Sequence, residues 1–234
     1  MRRLVYAYGP KKMISNQKNE GKSEVGNIVH KDLYRVQNYP QNYFDYIVDI
    51  GANIGIFSVM MRMLHPKATI IAIEPAEETF AYLQQNTNML NIITERIALG
   101  DGSRLYFQER PDKHILNHMF VKEKGEQWSD SSTLYGLFDR YNMLVKNRYM
   151  LKFDCEGGEK SLVNDPFSES IIRNAEHVSM EIHFQSRSTP YKHWLTYDEY
   201  NSWVRSAFQD THSIDYYCSS KNQGYGHYCL VKKS

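Results

Sequence analysis

Eight consecutive residues, Lys152-Phe153-Asp154-Cys155-Glu156-Gly157-Gly158-Glu159, crowd three acids and a lysine onto the end of an apolar run. Acids and a lysine so close in sequence can perturb one another's ionisation, a common property of catalytic sites. Glu156 and Lys152 are candidates to orient or deprotonate an acceptor, and Asp154 to sit beside the reacting end of a bound ligand. The bland alternative is a solvated loop opening a helix, where acids favour the N-terminal dipole. A second set is Glu181-Ile182-His183. Strand alternation puts Glu181 and His183 on one side, and a histidine near its ordinary pKa suits general-base work on a hydroxyl. His30, His65, His114, His118, His177, His193, His212 and His227 lack such placement and are assigned to surface or packing.

A third set is Asp49-Ile50-Gly51-Ala52-Asn53-Ile54-Gly55, at an expected strand-to-helix junction. Glycine lets the backbone approach a ligand closely, and a helix N-terminus offers unpaired N–H groups to an anion. A dinucleotide fingerprint requires G-x-G-x-x-G and a P-loop requires G-K-[ST]; Gly51 and Gly55 with Asn53 between them satisfy neither. Glu74 lies 23 residues after Gly51 and ends the next strand, where an acid can accept from both hydroxyls of a ribose. Pro75, with Ala98 or Leu99 at the end of the third strand, would wall an adenine. S-adenosylmethionine (SAM) meets these demands, with its carboxylate at the helix N-terminus and its ammonium on Asp49, directly or through water. The expected cofactor residues are therefore Asp49, Gly51, Ala52, Asn53, Gly55, Glu74, Pro75, Ala98 and Asp154. Without Glu74, the glycine turn could equally be a tight turn of purely steric origin.

These sets need strands that end together. Tyr46–Ile50, Ala68–Ile73, Ile92–Leu99, Tyr149–Asp154 and His177–Ile182 have the short, β-branched character of strands buried on both faces. Helices are expected over 56–64, closed by His65-Pro66, over 76–90, over 134–145, and over 196–208, where Thr196 and Glu199 form a capping box. Leu105–Gln108 with Met119–Lys122, and Ser213–Cys218 with His227–Val231, pattern as hairpins. Alternating strands and helices imply an α/β fold with a mostly parallel sheet, ligands lying at its carboxyl ends. Residues 1–43 are expected to be an N-terminal cap without its own core, and 44–234 the main domain.

Composition removes several classes. Lys+Arg 28 against Asp+Glu 27 leaves a net charge of +1 with no basic stripe, which argues against a nucleic-acid partner. The longest apolar runs fall short of the roughly 18 residues of a membrane span. Cys155, Cys218 and Cys229 are an odd, sparse set, which suits a reducing, cytoplasmic setting better than a disulfide framework.

Taken together, Val48–Gly55 (V-D-x-G-A-N-x-G), Glu74-Pro75, Lys152–Glu159 (K-x-D-x-E-G-x-E) and Glu181–His183 (E-x-H) resemble the FkbM family of SAM-dependent methyltransferases. The resemblance covers roughly residues 44–184. It implies a Rossmann-like class I methyltransferase fold: seven strands, mostly parallel, the last antiparallel, with helices on both faces. It also implies O-methylation of hydroxyls on sugars or polyketide-type products, hence a sugar or glycan acceptor. Thr133-Leu134 is followed by Tyr135 where the family often has an acid. Residues 103–133 match no family feature and are assigned to a substrate-side hairpin insertion. On this reading the catalytic set is His183, Asp154, Glu156 and Lys152. A divalent metal held by Asp154, Glu156 and Glu181 ranks second, because no clear metal triad is legible. The competing readings are a methyltransferase of another small-molecule, protein or nucleic-acid acceptor, and a silent SAM-binding module. Oligomeric state and fusion to other glycan-building domains are left open.

Overall fold

The computed structural model describes residues 25–107, 119–120, 127–143, 147–186, 194–220 and 224–233. Seven strands form the main sheet: β1 (Tyr46–Ile50), β2 (Thr69–Ile73), β3 (Ile93–Glu95), β8 (Tyr149–Phe153), β9 (His177–His183), β10 (His212–Ser220) and β11 (Tyr225–Lys232). Their order is β10-β11-β9-β8-β1-β2-β3. β11 runs antiparallel to both β9 and β10, while β9, β8, β1, β2 and β3 pair in parallel. This is the topology that the resemblance implies.

Side-chain parity divides the sheet into two faces. Val48, Ile50, Ile71, Ile73, Leu151, Phe153, Val178, Met180, Ile182, Tyr228 and Leu230 point to one face and join one hydrophobic cluster. Helices α3 (Leu134–Arg140), α4 (Pro166–Asn174) and α5 (Tyr197–Phe208) close over them. The opposite face meets α1 (Ile56–Leu64) and α2 (Glu77–Thr87) through Ile47, Ile70 and Ala72. Alternation places Asp49, Lys152, Ser179, Glu181, His183, His227 and Cys229 on that same face. Asp165 and Thr196 cap α4 and α5 from their side chains, and the Thr196–Glu199 capping box forms as the sequence requires.

Several expectations need correction. The run 92–99 is two strands: β3 ends at Glu95, and β4 (Ala98–Leu99) belongs to a second, four-stranded sheet. The break falls at Glu95-Arg96, where Glu95 accepts from Arg140 and Tyr141 and the chain leaves the main sheet. The hairpin of β5 (Arg104–Phe107) with β6 (Met119–Phe120) forms, but β7 (Gln127–Ser132), which the sequence pattern did not show, pairs with both β4 and β5. Helices α2 and α3 are shorter than their patterns suggested. Ahead of β1, the side chains of Ile28, Val29, Tyr34, Val36 and Phe44 are buried in the cluster with α1. Residues 1–24, His114, His118 and His193 lie outside the described residues, as does the Cys218 side chain; Cys229 is a free, buried thiol opposite Asp215.

Candidate active site at the carboxyl ends of β1, β2, β8 and β9

The turn after β1 is wound tightly against the end of β8. Gly51 adopts φ +76°, and a Cβ there would lie 1.8 Å from the Asp154 carbonyl oxygen, so only glycine fits. The Gly51 and Ala52 amides donate to the Ile73 carbonyl, which ties the turn to β2. Ala52 packs on Ala72 and Leu83. Asn53 is left-handed, and its amide donates to Glu74 Oε2 at 3.0 Å. Gly55 precedes α1 in a left-handed conformation with no side-chain cap, so the first amides of the helix face the carboxyl end of the sheet. The Ala76 amide donates to Glu74 Oε1 at 3.1 Å. Burial pushes the Glu74 carboxyl up to about 7, against the lowering effect of those two amides. Pro75 is half-buried next to it. These residues fit SAM: an uncapped helix N-terminus for its carboxylate and a strand-end carboxylate for its ribose.

Lys152 joins this turn to the acid cluster. Its Nζ donates to the Gly51 carbonyl at 2.6 Å and lies 3.1 Å from Asp49 Oδ1 and 3.9 Å from Asp154 Oδ2. Burial alone would lower its pKa, but Asp49 and then Asp154 hold it above the ordinary lysine value. Lys152 is therefore held as an ammonium between Asp49 and Asp154. Asp49 is fully buried, with Ser58 Oγ donating to its Oδ2 at 2.6 Å. Its Oδ1 faces Lys152, so Asp49 ties the turn to β8.

The cluster itself centres on His183. Its Nδ1 lies 3.3 Å from Glu159 Oε1; its Nε2 lies 3.4 Å from Glu156 Oε2 and 3.6 Å from Glu181 Oε1. Glu159 is fully buried and locked, accepting from the Cys155 and Gly157 amides at 2.8 and 2.9 Å. Glu156 is left-handed, and the next residue, Gly157 (φ +102°), packs so closely on Trp194 that a Cβ would come within 2.7 Å of the indole. Burial would lower the His183 pKa, but Glu156, Glu159 and Glu181 raise it well above the ordinary value. The imidazole thus sits among three carboxylates, its Nδ1 facing Glu159 and its Nε2 facing Glu156 and Glu181. Burial, then Asp154, likewise pushes the Glu181 carboxyl well up.

The structure thus gathers Lys152, Asp154, Glu156, Glu181 and His183, and sets Gly51, Ala52, Asn53, Gly55, Glu74 and Pro75 alongside. Ala98 departs from expectation: it is buried with Leu105 in the second sheet, a consequence of the break at Glu95. Asp154, Glu156 and His183 each offer a ligand atom, all within 4.8 Å of one another. Glu181, expected with Asp154 and Glu156 in any metal set, turns its second oxygen to His227 Nε2 at 3.1 Å, and His183 stands in the third place. His227 was assigned to packing; its register opposite Glu181 on the polar face is the signal that could have found it. Tyr34 was also missed. It is buried, its hydroxyl donates to Asp154 Oδ2 at 3.1 Å, and no motif around it announces the contact.

No family model matches the chain. Methyltransferase 1 of Beauveria bassiana (strain ARSEF 2860) is 39% identical over 70 residues, 28% of this chain and 27% of that protein. The 31-O-demethyl-FK506 methyltransferase FkbM of Streptomyces tacrolimicus is 45% identical over 42 residues, 18% of this chain and 16% of that one. The matched stretches span less than half the length of the curated relatives. A Leishmania major SAM-dependent methyltransferase of the DUF858 family superposes with a TM-score of 0.50 at 9% identity, covering 91% of this chain and 74% of that one. Among the described residues no helix is long and apolar enough to cross a membrane. The chain has the class I methyltransferase fold and, over the matched stretches, is similar in sequence to methyltransferases that include FkbM.

Proposed function

We propose that this chain is a SAM-dependent O-methyltransferase whose acceptor is a hydroxyl on a sugar, glycan or glycosylated metabolite. The observation that carries the reading is the junction at Lys152. One ammonium ties the glycine turn beside Glu74 to the Asp154–Glu156–His183 cluster, so a cofactor on the turn would adjoin an acceptor at the cluster. SAM would supply an electrophilic methyl group on a sulfonium. Glu74 would accept the ribose hydroxyls, and the first amides of α1 would take the carboxylate. Holding acceptor oxygen and methyl carbon in line at contact distance is the main contribution expected of such a site. A carboxylate of the Asp154/Glu156 pair would take the acceptor hydroxyl's proton on methyl transfer. His183, held through Nδ1 by Glu159, orients that pair. Lys152 keeps Asp154 and the Gly51 turn in register and remains an ammonium throughout.

The similarity to a 31-O-demethyl-FK506 methyltransferase supports an oxygen acceptor; the balanced net charge supports a neutral acceptor over nucleic acid. The test is a screen of hexose and deoxyhexose acceptors with methyl-labelled SAM. Label transfer that is lost in Asp154→Asn and Glu156→Gln supports the reading. SAM binding without transfer to any hydroxyl acceptor contradicts it.

A further inference from the structure

We infer that Asp154, Glu156 and His183 form a divalent-cation site at the acceptor end of the cleft. Their ligand atoms lie within 4.8 Å of one another. First-row divalent ions hold oxygen and nitrogen at about 2.0–2.2 Å, so ligand atoms across an ion stand at most about 4.4 Å apart. Small side-chain rotations bring this set to that spacing. Two carboxylates and one imidazole are donors that Mn²⁺ and related ions accept, whereas Ca²⁺ prefers oxygen alone.

The surroundings are those of a ligand histidine. A metal-bound imidazole characteristically gives its other N–H to a buried carboxylate, which fixes tautomer and ring orientation. Glu159 stands in that position at Nδ1, itself fixed by two backbone amides, and leaves Nε2 directed at Glu156. Asp154, Glu156 and Glu181 surround the same point, and Glu159 backs His183 from behind. A carboxylate bound to the ion through one oxygen keeps the other for a proton. The ion would then bind the acceptor hydroxyl oxygen and draw charge from it as a Lewis acid. That last role rests on the methyl-transfer reading; the site itself does not.

The test is titration of the metal-free full chain with Mn²⁺ alone, followed by calorimetry and by electron spin-echo spectroscopy of the bound ion. The expected result is saturable binding of one ion with a directly bound nitrogen signal. Glu156→Gln and Asp154→Asn should weaken binding by more than about tenfold, and Glu159→Gln by about 10–100-fold, the range for partners of a ligand histidine. The nitrogen signal should vanish in His183→Gln. No saturable binding, binding without a nitrogen signal, or a signal that persists in His183→Gln overturns the site. S-adenosylhomocysteine (SAH) titrated into the same sample separates the two readings: SAH binding without Mn²⁺ binding removes the ion alone, and the reverse removes the cofactor pocket alone.

Discussion

The two faces of the main sheet use the same strands to opposite ends. Residues on one parity of β1, β8, β9 and β11 are aliphatic or aromatic and vanish into a single cluster. Their immediate neighbours on the other parity are Asp49, Lys152, Ser179, Glu181, His183 and His227. The apolar face is held by close packing. The polar face is equally buried, and every charge on it must be answered by another. A strand tolerates both because its side chains alternate with a period of two. The candidate site thus lies on the parity where burial is least favourable.

The comparison can be broken by single substitutions. Lys152→Met should have the largest effect, leaving Asp49 charged and buried without its partner, at a cost of about 3–5 kcal/mol. Urea denaturation measures it, and adding Asp49→Leu should recover a large part of the loss. Full stability in Lys152→Met would mean that the buried pair is not integral to the fold. On the other face, Leu151→Ala should cost about 2–5 kcal/mol by leaving a cavity, while SAH affinity per folded molecule stays unchanged. A matching loss of affinity would show that the faces are not separable.

A third prediction concerns protons. Burial depresses His65 and His177 to about 4. The unfolded chain therefore binds more protons than the folded one between pH 4 and the ordinary histidine value, and stability must fall as pH drops through that window. Each residue contributes up to about 3 kcal/mol. His65→Phe should flatten the slope of stability against pH over this range, without touching the polar cluster.

Much of this was legible in the sequence because it is local. Parallel strands write continuous apolar runs, and glycine at 51 is forced by a single close approach. Capping of α5 lies within four residues. The strand ends then place Glu74, Asp154 and His183 together by topology alone. What escaped depends on distant partners. The division of 92–99 is decided by Arg140 and Tyr141 meeting Glu95. Tyr34 reaches Asp154 across 120 positions of chain. The shifts of Lys152 and His183 follow from partners brought close by the fold: Asp49 on β1 for Lys152, and Glu156 and Glu159 from the turn after β8 for His183.

The central claim is that the carboxyl end of the polar face binds SAM through Glu74. Calorimetric titration of SAH into the wild-type chain, Glu74→Ala and Glu74→Gln at pH 6 and pH 8 tests it most directly. Glu74 titrates near 7, and only its ionised form accepts from both ribose hydroxyls. Wild-type affinity should therefore rise several-fold, up to about tenfold, from pH 6 to pH 8. Glu74→Ala should bind at least about tenfold more weakly at pH 8, and Glu74→Gln should lose the pH dependence. SAH affinity that is the same in all three proteins at both pH values would contradict the account.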